Sequence, residues 1–230
     1  MSRLILFFVI TIIALPSSAL AAIGCTLSNP AEDLKYLFPE MTSFKEELHN
    51  LATVDNGKSW YQKLQERLGS DLDKTYETYE TPYTIYKVFK SDDLLGIVHG
   101  VNVPGKGGVI QVFLSSDITN GTILKFFFQR LESPFAKELK KKELREQFVG
   151  LNLSDFYKHD YYSVADPKNE SDKISKITVT ALGIEGMEDY QATLRGIRKN
   201  LVLLDFFIYH ESYEGFYTKA QEGIRKLKTK

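Results

Sequence analysis

The sequence predicts an α+β fold, an antiparallel sheet of four to six strands flanked by an N-terminal helical lead and C-terminal helices. Two observations carry that reading. Short runs rich in β-branched and aromatic residues crowd between Tyr83 and Phe128, with hairpin-type residues between them. Before and after that stretch the apolar residues recur at helical spacing instead. A chain of 230 residues is long enough for one well-buried domain with a helical annex.

Residues 1–24 read as an export leader. Arg3 supplies a positive start, Leu4 to Leu15 is apolar apart from Thr11, and Pro16-Ser17-Ser18 breaks the run. An apolar core of that length is short for a bilayer span and suits a secretory signal. Three outcomes fit. Ala19-Leu20-Ala21 matches ordinary signal-peptidase cleavage, and Ala22-Ile23-Gly24-Cys25 matches a relaxed lipoprotein box in which Cys25 is lipidated. Alternatively Leu4 to Gly24 stays on as a tilted anchor. Each places the folded part outside the cytoplasm, in the periplasm or held at the membrane surface as a lipoprotein or through the leader. Cys25 is the only cysteine, which rules out an intramolecular disulfide and a thiolate metal cluster.

Residues 25–82 form the tether and helical lead. Thr26 to Glu32 is polar and reads as a short tether. Asn29-Pro30, with Glu32 and Asp33 in the next turn, starts a helix that Pro39 closes. Trp60, Leu64 and Leu68 recur at helical spacing and predict a second helix ending at Gly69.

Residues 83–185 form the sheet domain. The expected strands are Thr84 to Lys90, Leu94 to Gly100, Val109 to Leu114 and Thr122 to Phe128. Asp92-Asp93 and Asp117 to Gly121 punctuate them, so the strands read as a meander. Leu124, Phe126 and Phe128 share one face of the last strand and Ile123 and Phe127 the other, which predicts a central strand covered on both sides. Phe135 to Phe148 returns to helical composition. Its Lys140-Lys141-Lys142 cluster reads as a solvated face or as a dock for anionic lipid or an acidic partner. Residues 186–230 close the chain with helices: Met187, Tyr190, Leu194, Ile197, Leu201, Leu204 and Ile208 alternate in steps of three and four, and Tyr213 to Leu227 makes the last one.

Composition narrows the function classes. The formal charge of −1 gives no basic surplus for nucleic acid. His49, His99, His159 and His210 are scattered without metal-ligand spacing, and no Gly-x-Ser-x-Gly elbow is present. Gly105-Lys106-Gly107-Gly108 lacks the Gly-Lys-Ser/Thr ending of a nucleotide P-loop. Glycines there do permit close approach of a flat ligand and offer bare N–H groups, although a plain hairpin turn needs them equally.

One stretch carries more. Asp172-Lys173-Ile174-Ser175-Lys176-Ile177-Thr178 has the order of a flavin-attachment motif, Asp, two residues, Ser or Thr, Gly, Ala, Thr. Upstream, in order, stand Gly105-Lys106-Gly107-Gly108, Asp117, Asn120-Gly121, Ile123, Glu132-Ser133-Pro134 and Gln147-Phe148-Val149-Gly150. From about Leu34 to Thr180 this series resembles the FMN-binding domain family, which includes periplasmic flavin-carrying subunits of Rnf-type and sodium-pumping NADH:quinone reductase complexes.

The resemblance implies FMN joined through its phosphate to the Thr178 hydroxyl. Ser175, Asp172, Gly105, Gly107, Gly108, Glu132 and Ser133 would stand around it. Lys176 and Ile177 depart from the family's Gly-Ala, and Phe135-Ala136-Lys137 from its Gly-Leu-Gly. Two functions follow. The first is an electron carrier at the cell envelope serving a membrane redox complex. The second is a divergent member without flavin, acting as an envelope binding or assembly module.

Overall fold

The computed structural model describes residues 25–73, 77–165, 169–179 and 182–229; the segment expected to be a leader, residues 1–24, lies outside them. The fold is α+β. Strands β1 (Ser43–Asn50), β2 (Pro82–Lys90), β3 (Asp93–Pro104), β4 (Val109–Ser116) and β5 (Ile123–Leu131) form one antiparallel sheet in the order of the chain. The helices are α1 (Pro30–Leu37), α2 (Gly57–Leu68), α3 (Ala136–Leu139), α4 (Lys142–Glu146), α5 (Leu153–Ala165), α6 (Gly183–Phe207) and α7 (Glu214–Lys228).

Alternation along the strands divides the sheet into two apolar faces. On one face Ile85, Ile97, Val101, Val112 and Leu114 meet Leu64 and Leu68 of α2 and Ile197, Leu201 and Leu204 of α6. On the other, Tyr86, Val88, Val98 and Phe113 meet Leu27, Leu34, Leu37 and Phe38. Each fully buried Leu or Ile contributes roughly 1.5–3 kcal/mol, so both faces are needed to hold the sheet. Helix α6 is buried beyond the single stripe its spacing suggests: Val202 and Leu203 are also fully buried. A helix covered on several sides has no wet face to keep polar.

The four expected strands are present, as are the expected helices α1, α2, α6 and α7, and five features differ. The first is β1, an added edge strand whose Lys45, Glu46 and Glu47 hide its period. The second concerns β5, which is the other edge strand and not a central one. It is nonetheless covered on both faces: Phe126 and Phe128 pack into the large core, and Phe127 packs on the other face against Tyr36 and Phe113. The register shift at Ser115/Ser116 leaves Leu124 unpaired and outward, while Ile123 turns into the core beside Phe126.

Third, the helix expected over Phe135 to Phe148 is broken at Lys140-Lys141 into α3 and α4. Fourth, α5 is an additional helix. Fifth, the segment read as a tether is docked: Leu27 N–H donates to Tyr86 Oη at 3.0 Å and Ser28 N–H to Gln129 Oε1 at 2.9 Å.

Candidate functional site

The glycine-rich turn joins β3 to β4 and is closed by Gly105 N–H donating to the Gly108 carbonyl at 2.8 Å. The chain after β5 returns to it. Glu132 N–H donates to the Val109 carbonyl at 3.1 Å, and Val109 N–H donates back to Glu132 Oε2 at 2.8 Å. Gly108 has φ +139°, and a Cβ there would fall 2.0 Å from Glu132 Oε2, so only glycine leaves room for that carboxylate. The Val109 amide and then Arg130 hold the Glu132 carboxyl below its ordinary range.

A second carboxylate enters from α6. Asp189, with no exposed surface, accepts Lys106 N–H at 2.6 Å and the Ser133 hydroxyl. The structure therefore brings Gly105, Gly107, Gly108, Glu132 and Ser133 together, and their centre is a residue that sequence reasoning missed. In the sequence Asp189 looks like one more acid near a helix start, a position where the helix dipole alone explains it.

The 169–179 segment contains no strand; it is a chain of turns. Asp172 is fully buried, and its Oδ1 accepts Ile174 N–H at 3.0 Å and Ser175 N–H at 3.1 Å. Its Oδ2 lies 2.7 Å from His159 Nδ1 on α5. The Ser175 hydroxyl donates to the Asp172 carbonyl at 3.0 Å. Asp172 and Ser175 thus build a side-chain-stabilised turn, a local reason for that spacing without any ligand. Ile177, at the position of Ala in the flavin-attachment motif that the segment resembles, packs against the large core.

Thr178 is exposed, and its backbone is gripped by Gln147: Thr178 N–H donates to Oε1 at 2.7 Å, and Nε2 donates to the Thr178 carbonyl at 3.1 Å. It lines a hollow of about 340 Å³ with Glu138, Lys141, Glu143, Leu144, Gln147 and Val179. The glycine turn borders a different hollow, of about 480 Å³, with Met187, Glu188, Gln191 and Arg195. The two hollows share no lining residue. Phe135 packs beside Gly186 of α6.

The fit to FMN is therefore poor at three points. The amides of Lys106 and Val109 are already taken by carboxylates. Glu138 and Glu143 outnumber Lys141 where the flavin phosphate would lie. The turn and Thr178 open in separate places.

Cys25 is buried among Leu27, Leu34 and Phe38, and burial, opposed by a hydrogen bond from Gln111, pushes its thiol up to about 11. A lipidated Cys25 would have to leave that core to reach a bilayer. Among the described residues no group of His, Cys, Asp and Glu could hold a metal, and no helix is long and apolar enough to cross a membrane. Compared with protein-family models and with curated proteins, the chain matches none.

Proposed function

We propose that the chain is an exported cell-envelope protein built on an FMN-binding-domain-like frame that has given up its flavin, and that it acts as a binding or assembly module. The observation that carries this reading is the occupied turn. Glu132 and Asp189 take the N–H groups that would otherwise face a flavin's oxygens, while Glu138 and Glu143 beside Thr178 bring negative charge to the place a phosphate needs cations. Fold alone assigns no chemistry; the site must.

The second reading, flavin ester-linked at Thr178, is favoured by one fact. The threonine is exposed on the rim of a hollow that also contains Lys141.

In-gel flavin fluorescence separates the two. The exported protein from a host with a flavin transferase is expected to give no fluorescent band on a denaturing gel. A fluorescent band lost in Thr178→Ala would establish the second reading. Restoring Lys176→Gly with Ile177→Ala asks whether those side chains alone exclude the flavin. That double variant is expected to stay dark as well, because the carboxylate-filled turn is untouched.

A further inference from the structure

The strongest unassigned feature lies on the helical side, between α5 and α7. Ser154, Tyr157, Lys158, Tyr161 and Tyr162 recur at three- and four-residue steps along α5, and Phe216, Lys219, Ala220, Gly223 and Lys226 do the same along α7. Such spacing puts each set on one helix face. The two faces enclose a groove of about 420 Å³ lined by these residues and Glu222.

Gly223 sets how closely the helices approach: a Cβ there would stand 2.2 Å from the Tyr161 ring. Tyr161 and Tyr162 lie with ring centroids 5.3 Å apart, and Phe216 is 43% exposed. Tyr157 forms the inner wall and is fixed from behind by Arg67, whose Nε donates to its hydroxyl at 2.9 Å.

The charge around the groove is one-sided. Lys158, Lys219 and Lys226 face a single acid, Glu222. Lys158 comes only to 3.9 Å from Asp155. Among the described residues Lys219 and Lys226 have no ion-pair partner. Neither lysine is required to pack α7, since Tyr213, Tyr217 and Ala220 bind that helix to the core. One exposed and two half-buried aromatic rings beside ammonium groups without an ion-pair partner complement a ligand that is flat and negatively charged.

We propose that the groove between α5 and α7 is a binding site for a planar aromatic anion, its rings laid against Tyr161, Tyr162 and Phe216 and its charge held by Lys219 and Lys226. The groove shares no lining residue with the Thr178 hollow or with the hollow at the glycine turn, so the site stands whether or not Thr178 carries flavin.

The test is a fluorescence titration of the mature exported protein with 1-anilinonaphthalene-8-sulfonate, set beside its uncharged counterpart N-phenyl-1-naphthylamine. One sulfonate is expected to bind per folded chain. Lys219→Gln with Lys226→Gln should weaken it at least about tenfold and leave the uncharged probe unchanged, while Phe216→Ala weakens both. Both lysines are exposed, so the double variant keeps the fold. Equal sulfonate affinity in that variant, or several equivalent sites per chain, overturns the proposal. So does loss of binding to phosphatidylglycerol vesicles with probe binding intact, which would make the groove a membrane contact.

Discussion

Asp189 Oδ1 accepts the Lys106 backbone amide at 2.6 Å, so a carboxylate carried by α6 completes a turn carried by the sheet. The contact spans 83 residues of chain and is buried at the Asp189 end. Asp189→Ala would strand the Lys106 amide and the Ser133 hydroxyl, at a cost of about 1–3 kcal/mol. Urea unfolding measures that loss. Hydrogen exchange locates it: protection at the Lys106 amide should fall while protection in β3 and β4 persists.

Asp172 is the corresponding anchor of the second segment. Asp172→Ala removes the acceptor for two amides and the partner of His159, and should destabilise by about 3 kcal/mol. Asp172→Asn keeps an oxygen for the amides and should lose less than half of that. Equal losses in the two variants would mean that charge on Asp172, not its turn geometry, is what the fold uses.

The buried ion pair Arg67–Asp205 ties α2 to α6. Arg67 Nη2 lies 2.5 Å from Asp205 Oδ2, with the side chains 3% and 0% exposed. Arg67 also donates to the Tyr157 hydroxyl and stands 4.8 Å over the Phe206 ring. Asp205→Ala leaves that guanidinium buried and unpaired, which costs roughly 3–5 kcal/mol. The thermal midpoint should drop accordingly, and adding Arg67→Met should recover part of the loss.

His99 gives the fold a pH dependence. It is fully buried beneath α6 with Nδ1 2.8 Å from Asn200 Oδ1, and burial lowers its pKa from 6.5 to about 4. The unfolded chain then binds the proton first as pH falls. Stability contributed by neutral His99 is complete above about pH 6.5 and is lost progressively down to about pH 4. Between pH 7 and pH 5 that amounts to roughly 2 kcal/mol. Urea midpoints at the two values measure it, and His99→Gln should flatten the slope.

What could be read from the residues follows how much of each element's pattern is its own. The β2–β5 runs and the α6 stripe are dense in apolar residues at strand or helix spacing, so they are visible in the sequence. Strand β1 exists because β2 offers it a ladder, and its Leu48 remains 69% exposed, so no alternation marks it. The bulge at Leu124 reverses the facing of Ile123, an effect set by pairing with Ser115 and Ser116 and not by composition.

The candidate site divides in the same way. The grouping of the glycines with Glu132 and Ser133 followed from family resemblance. Asp189, which fills the turn, reaches back 83 residues to Lys106, and Gln147, which grips Thr178, reaches forward 31. Contacts at such range exist only because helices fold back onto the sheet end, and no local pattern announces them.

The intact mass of the protein, exported from cells that make a flavin transferase, tests most directly whether Thr178 carries a flavin. A turn filled by Glu132 and Asp189 predicts a polypeptide mass with no addition at Thr178. A mass raised by one flavin mononucleotide residue, mapped to the peptide containing Thr178, would contradict it.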